Sequence, residues 1–156
     1  MEQLQTSIID EMEQYRPIPY ATSWQRFANF LIDWVVYYLV YMFIVFVLAI
    51  LTEILQTDMV STLVSEEPID RLLATLFATF VMFCVYLLTE GLSRGRTLGK
   101  LITGTRAVRE DNSEITWKDA LKRSLARIIP FEPFSAFSGS GMWHDRLAKT
   151  MVVKTR

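Results

Sequence analysis

An α-helical membrane protein is the fold class this sequence predicts, and three observations predict it. Trp34 to Leu51 and Leu72 to Thr89 are two 18-residue runs without a charged side chain. Each is long enough for a helix across the hydrocarbon of a bilayer. The stretch from Thr52 to Asp70 between them is acidic, with Glu53, Asp58, Glu66, Glu67 and Asp70 and no Lys or Arg, whereas basic residues crowd the stretch after the second run. Of 156 residues, 51% are hydrophobic, and four Trp, six Tyr and ten Phe supply rings that anchor at membrane interfaces. A soluble four-helix core would interrupt such runs with a polar residue every third or fourth position.

The full expectation is two transmembrane helices plus an amphipathic interfacial helix, a short proline-broken re-entrant or interfacial segment and a small β-hairpin. The chain reads as a single domain, 1–156, without repeats or a Pro/Gly-rich linker. An N-terminal cytoplasmic segment (1–25) precedes a first span (27–51), an external acidic loop (52–71), a second span (72–90) and a basic cytoplasmic or interfacial region (91–156). No basic leader precedes the first apolar run, because Met1 to Glu13 is acidic, so the first span is expected to be kept as an anchor. After the second span come Arg94, Arg96, Lys100, Arg106 and Arg109. The positive-inside rule then places both termini in the cytoplasm. Cys84 is the one cysteine, so no intrachain disulfide forms.

The spans are not uniformly apolar. Arg26, Asn29, Asp33, Tyr37 and Tyr41 keep to one face of the first helix, and Asp33 lies about 10 Å beyond Phe27 along its axis. Thr75, Thr79, Tyr86, Thr89 and Glu90 share a face of the second. Antiparallel spans bring Asp33 and Glu90 to the same boundary. Ionisable groups there face protein, water or a partner charge. Two readings stay open: a carboxylate site for a proton or cation tuned by Arg26, and a salt bridge, Arg26 with Asp33, that only fixes helix orientation.

Gly91 to Gly104, GLSRGRTLGKLITG, is not a phosphate-binding loop. It has three residues between Gly95 and Gly99 where that loop has four, and Leu101 stands where a Mg²⁺-binding hydroxyl is needed. A tight turn followed by a short helical or extended stretch fits better. TRAV, a polar EDNSE turn and ITW read as the β-hairpin. Thr116-Trp-Lys-Asp119 is a capping-box start to a helix. That helix gathers Trp117, Leu121, Leu125, Ile128 and Ile129 on one side, with Lys118, Lys122, Arg123 and Arg127 over much of the other. The pattern predicts a helix in the membrane interface whose four basic side chains reach lipid phosphates; packing on a soluble partner is the alternative. IIPFEPFSAF, Ile128 to Phe137, is too short to span and is broken by Pro130 and Pro133. His144, Asp145 and Arg146 form a local charged cluster. One His in the chain, and no nucleophile beside a base, point to neither a metal centre nor an enzyme, and no cofactor or nucleic-acid partner is expected.

In order along the chain, Arg26, Asp33 and Asp145 resemble the Arg, Asp and Asp that name the RDD family of bacterial membrane proteins. GRTLGKLITGTRAV is similar to that family's G-x-T-x-G-K-x-x-x-G-x-x-V segment, and WHDRLAKTMVV to its H-D-x-x-A-x-T-x-V close. The resemblance covers about Tyr20 to Lys154. It implies a bacterial cytoplasmic (inner) membrane protein, with some members linked to sodium/proton exchange. Many members of that family carry a third full span where this chain has the short IIPFEPFSAF, which weakens the transport expectation if that span is needed for a path. Two functions follow as expectations. One is a homo-oligomeric monovalent cation/proton exchanger using Asp33, Arg26, Glu90, Asp145 and Asn29. The other is a non-enzymatic membrane scaffold or accessory subunit that binds a membrane protein partner or anionic lipid.

Overall fold

The computed structural model describes residues 19–57, 59–138 and 141–155; the acidic Met1 to Glu13 stretch and Asp58 of the acidic loop lie outside them. Helix α1, Ser23–Leu55, runs 33 residues, about 50 Å. Thr22 opens it with a capping box: its hydroxyl accepts from the Gln25 amide at 3.2 Å, and Gln25 Oε1 accepts from the Thr22 amide at 3.0 Å. A short α2, Met59–Val64, leads to α3, Pro68–Leu92, with proline in the first turn where no backbone donor is needed. Both α1 and α3 are long and apolar enough to cross a membrane. None of the most apolar stretch of α1 is buried within the chain, and only 11% of that of α3. A core helix of a soluble protein would be covered.

Packing between the long helices explains much of the polar stripe. Tyr37 donates across to the Ala78 carbonyl at 3.3 Å, and the Tyr41 and Phe77 rings lie 6.2 Å apart. The hydroxyls of Thr75, Thr79 and Thr89 donate to carbonyls one turn back, at 2.7–2.8 Å. These threonines satisfy themselves, as polar groups must where water is scarce.

A small cap closes the bundle at the start of α1 and the end of α3. It consists of α4 (Leu98–Ile102), β1 (Thr105–Arg109), α5 (Trp117–Ala126), a 3₁₀ turn (Glu132–Phe137), α6 (Trp143–Ala148) and β2 (Thr150–Lys154). The strands pair antiparallel, Thr105 opposite Lys154 and Arg109 opposite Thr150. The expected hairpin partner of β1, the ITW stretch, does not pair with it; the polar turn before it contributes only an isolated bridge from Glu114 to Val108. Apolar matching decides this: the pairing sets Ala107 against Val152 and Val108 against Met151, and Ala107, Val108 and Val152 are each at most 2% exposed. The chain entering α1 joins on, with Ala21 donating to the Val152 carbonyl at 2.9 Å and Lys154 to Pro19 at 2.7 Å.

Among the described residues, 14 polar side chains are buried against 13 apolar ones, so the interior is not an oily core. Helix α5 makes the inversion plain. It turns Asp119, Ala120, Arg123 and Ser124 inward, while Trp117, Leu121 and Leu125 are exposed. Arg123 and Arg127 therefore do not face outward as their place in the sequence suggested; of the four basic residues only Lys118 and Lys122 are exposed. Gly91 allows this helix to approach, since a Cβ there would sit 2.3 Å from the Trp117 ring. Ile128 to Phe137 forms no span; it ends in the 3₁₀ turn, with Phe131, Phe134 and Phe137 exposed and Glu132 buried.

Candidate functional site

The buried polar residues converge where the cap meets the bundle. The segment between α3 and β1 is what receives them. Thr97 N-caps α4, its hydroxyl accepting from the Lys100 amide at 3.3 Å. The same hydroxyl donates to Asp33 Oδ2 at 2.6 Å, and the Gly99 amide donates to Asp33 Oδ1 at 2.8 Å. Asp33, projecting from α1, is thus the anion at the amide end of a short cap helix. A side chain at Gly99 would stand 2.5 Å from the Asn29 carbonyl and 2.9 Å from Asp33 Oδ1, so only glycine lets α1 come this close. One turn earlier the Asn29 amide lies between the hydroxyls of Thr103 at 2.5 Å and Thr105 at 3.0 Å.

Glu90 is held quite differently. Fully buried, it meets Lys100 Nζ at 2.6 Å, Arg123 Nε at 2.7 Å and Arg127 Nη2 at 2.8 Å. One carboxylate at the end of α3 thereby gathers α4 and α5. Arg123 also binds Asp145 of α6 and the Thr150 hydroxyl of β2. Burial works against the charge of Arg123, but Glu90 and Asp145 hold its pKa above the ordinary value. Burial, with Arg123 and Arg127 close by, brings Lys100 down to about 8 against the pull of Glu90. An ion this deep is tolerated only when paired on every side.

Arg26 does not bridge to Asp33. Its guanidinium lies 3.9 Å from Asp145 Oδ2, and Arg26 and Asp33 meet instead as walls of one cavity. That cavity, near 20 Å³, is about the size of one water molecule and is lined also by Tyr86, Lys100, Arg127, Glu132 and His144. Arg127 lies over the Tyr86 ring, 4.2 Å from its centre. His144 Nδ1 is 2.6 Å from Glu132 Oε1, while Arg127 approaches Nε2 at 3.4 Å. Burial raises the pKa of Glu132, and burial with Arg127 and Arg123 holds His144 well below the usual imidazole value. The neutral ring then carries its proton on Nδ1, toward the carboxylate, because Arg127 donates into Nε2.

Among the described residues no group of three or more His, Cys, Asp or Glu is placed to hold a metal ion. The structure brings Arg26, Asn29, Asp33, Glu90 and Asp145 to one neighbourhood. It adds Thr97, Gly99, Lys100, Arg123, Arg127, Glu132 and His144, to which the sequence had assigned no inward role. The Gly-x-Thr-x-Gly-Lys segment was the available signal: each of its polar positions meets a carboxylate of a long helix. Glu132 had no signal, sitting between two prolines in an apolar stretch.

A buried polar hub that ties two bilayer-length apolar helices to a small cap defines the class, an α-helical membrane protein with its site at one end of the bundle. The chain belongs to the RDD family, matching it over residues 20–149. Its Arg26, Asp33 and Asp145 all fall within this hub. No curated protein and no solved structure matches the chain significantly.

Proposed function

We propose that this protein exchanges a monovalent cation for a proton across the membrane, with Asp33 as the exchanging carboxylate. One observation carries the reading. Among the described residues, the direct hydrogen-bond partners of Asp33 are the neutral Thr97 hydroxyl and Gly99 amide, whereas Glu90 is closed in by three cations. A carboxylate held by neutral donors can trade a proton for a cation without breaking an ion pair. It also borders a cavity of one-water size. Between Asp33 and Glu53, near the other end of α1, a single chain offers the Tyr37 and Tyr41 hydroxyls but no charged group on that helix, so a pathway requires more than one copy. The working unit is then a homo-oligomer, with the basic cap on the cytoplasmic side.

The ion-paired hub favours the second reading, an accessory subunit or scaffold. Arg123 ties Glu90 to Asp145 Oδ1 and so holds a rigid surface for a partner, while Lys118 and Lys122 lie outward for anionic lipid. Proteoliposomes separate the two. Cation-driven collapse of an imposed pH gradient, present in the wild type and absent in Asp33→Asn, supports exchange. A folded, reconstituted wild type that moves neither ion leaves the scaffold.

A further inference from the structure

A groove and the one-water cavity share Arg26 as a lining residue. The groove, about 540 Å³, is bordered by Thr22, Arg26, Gly141 and Asp145, and Arg26 also borders the cavity. Buried polar atoms of the residues that line these two spaces lack a hydrogen-bond partner: Asp145 Oδ2 beside the groove, Arg26 Nε of the residue they share, and Arg127 Nη1 beside the cavity. Water is what such atoms take up, since an unpaired buried donor or acceptor is costly. Glu132 and His144, which also line the cavity, face each other at 2.6 Å, and Asp33 borders the same space.

We propose that the Glu132–His144 pair is a proton-binding site, loaded from the cap side past Arg26 and Asp145, that delivers its proton to Asp33 through the shared cavity. This rests on the exchange reading above for its purpose, though not for its existence. The step balances simply. A proton entering from solution binds the Glu132 carboxylate; that O–H bond breaks as a cavity water takes the proton, and an O–H bond forms on Asp33, which releases its cation. The imidazole keeps the proton it donates to Glu132, so His144 orients the carboxylate and is a positioning residue.

The charges facing the pair suit that role. From α5, Arg127 and Arg123 oppose a second proton on the ring. From α6, Asp145 Oδ1 lies 3.5 Å from His144 Nε2, and from α3 and α4 Glu90 and Lys100 act on the ring in opposite senses. From α1, Arg26 and Asp33 line the same space, and Tyr86 of α3 closes it. Burial favours the neutral acid at Glu132 and the neutral ring at His144. One added proton therefore resides on the carboxyl.

His144 is the only histidine in the chain, so its imidazole ¹⁵N signals are assigned without ambiguity. The test is a ¹⁵N titration of the full chain in lipid bicelles between about pH 4 and 8, in the wild type, Asp33→Asn and Glu132→Gln. Removing the Asp33 charge across the cavity should lower the midpoint sensed by His144, on the order of half a unit. Glu132→Gln, which keeps an oxygen for Nδ1–H, should abolish that step. An unmoved midpoint in Asp33→Asn, or an unchanged step in Glu132→Gln, overturns the site. In proteoliposomes Glu132→Gln should slow proton-coupled flux at least about tenfold yet spare cation-for-cation exchange, which needs no proton. Full proton-coupled flux in that variant overturns the delivery route. A coupled titration in a wild type that moves no cation keeps the proton site and discards the exchanger.

Discussion

Asp33 and Glu90 sit at the same end of the bundle, both buried, both aimed at the cap, and they are treated in opposite ways. Glu90 is surrounded by Lys100, Arg123 and Arg127. Asp33 is held by a hydroxyl and a peptide amide. A carboxylate wrapped in cations cannot change its charge without stranding them, so Glu90 is architecture. A carboxylate held by neutral donors can change charge and keep much of its geometry. Burial and a conspicuous place at a helix boundary do not separate the two; the charge of the partners does.

The sharpest way to break the comparison is to neutralise the first carboxylate. Glu90→Ala takes from three buried cations the anion they share, leaving only Arg123 with another in Asp145, and should cost about 3–5 kcal/mol, enough to lose the folded protein in mild detergent. Thermal unfolding followed by circular dichroism checks it. A Glu90→Ala protein as stable as the wild type would mean that the cations find other partners and that Glu90 is no anchor.

Gly99→Ala is the next largest change and acts on the other carboxylate through the backbone. Its Cβ would press on the Asn29 carbonyl and Asp33 Oδ1, parting α4 from α1 at an expected cost of about 1–3 kcal/mol. The same push lengthens the Gly99–Asp33 bond, so exchange should fall with stability in this variant. Asp33→Asn should separate the two properties. Asn keeps an acceptor for the Gly99 amide, so its stability loss should be near 1 kcal/mol, while cation-driven proton flux disappears. Equal damage to both properties would make Asp33 an anchor like Glu90.

How much of this contrast could be read beforehand follows from where the information lies. The long helices are local: charge-free runs such as Trp34 to Leu51 and Leu72 to Thr89 announce themselves, and α1 and α3 contain them. So is the cap of α5, where Thr116 and Asp119 form the reciprocal box their spacing suggested. The pairing of β1 with Thr150–Lys154 is not local, and a polar turn nearby offered a competing hairpin. The inward turn of Arg123 and Arg127 was illegible for a different reason. Amphipathic reasoning sends basic residues to the outside, but in a chain bathed in lipid the apolar face is the outer one. Glu90 could be picked out as an intramembrane carboxylate. That it would need three cations from two cap helices could not.

The smallest effect concerns acid, and its sign follows from His144. Buried neutral, with a folded-state pKa well below that of the unfolded chain, His144 contributes stability that is complete above about pH 6.5 and is lost as the pH falls and the unfolded chain gains a proton. Between pH 7 and 6 this amounts to roughly 0.7 kcal/mol. Glu132 works the other way: its raised pKa means the folded state takes up a proton first, so acid restores stability there. The wild type should therefore lose stability only gently on acidification. Glu132→Gln removes the offset and keeps the histidine, and its unfolding temperature should fall more steeply below pH 6.5 than that of the wild type. Parallel curves would mean that Glu132 stays ionised in the folded state over this range, so that His144 orients a carboxylate with no proton to pass on.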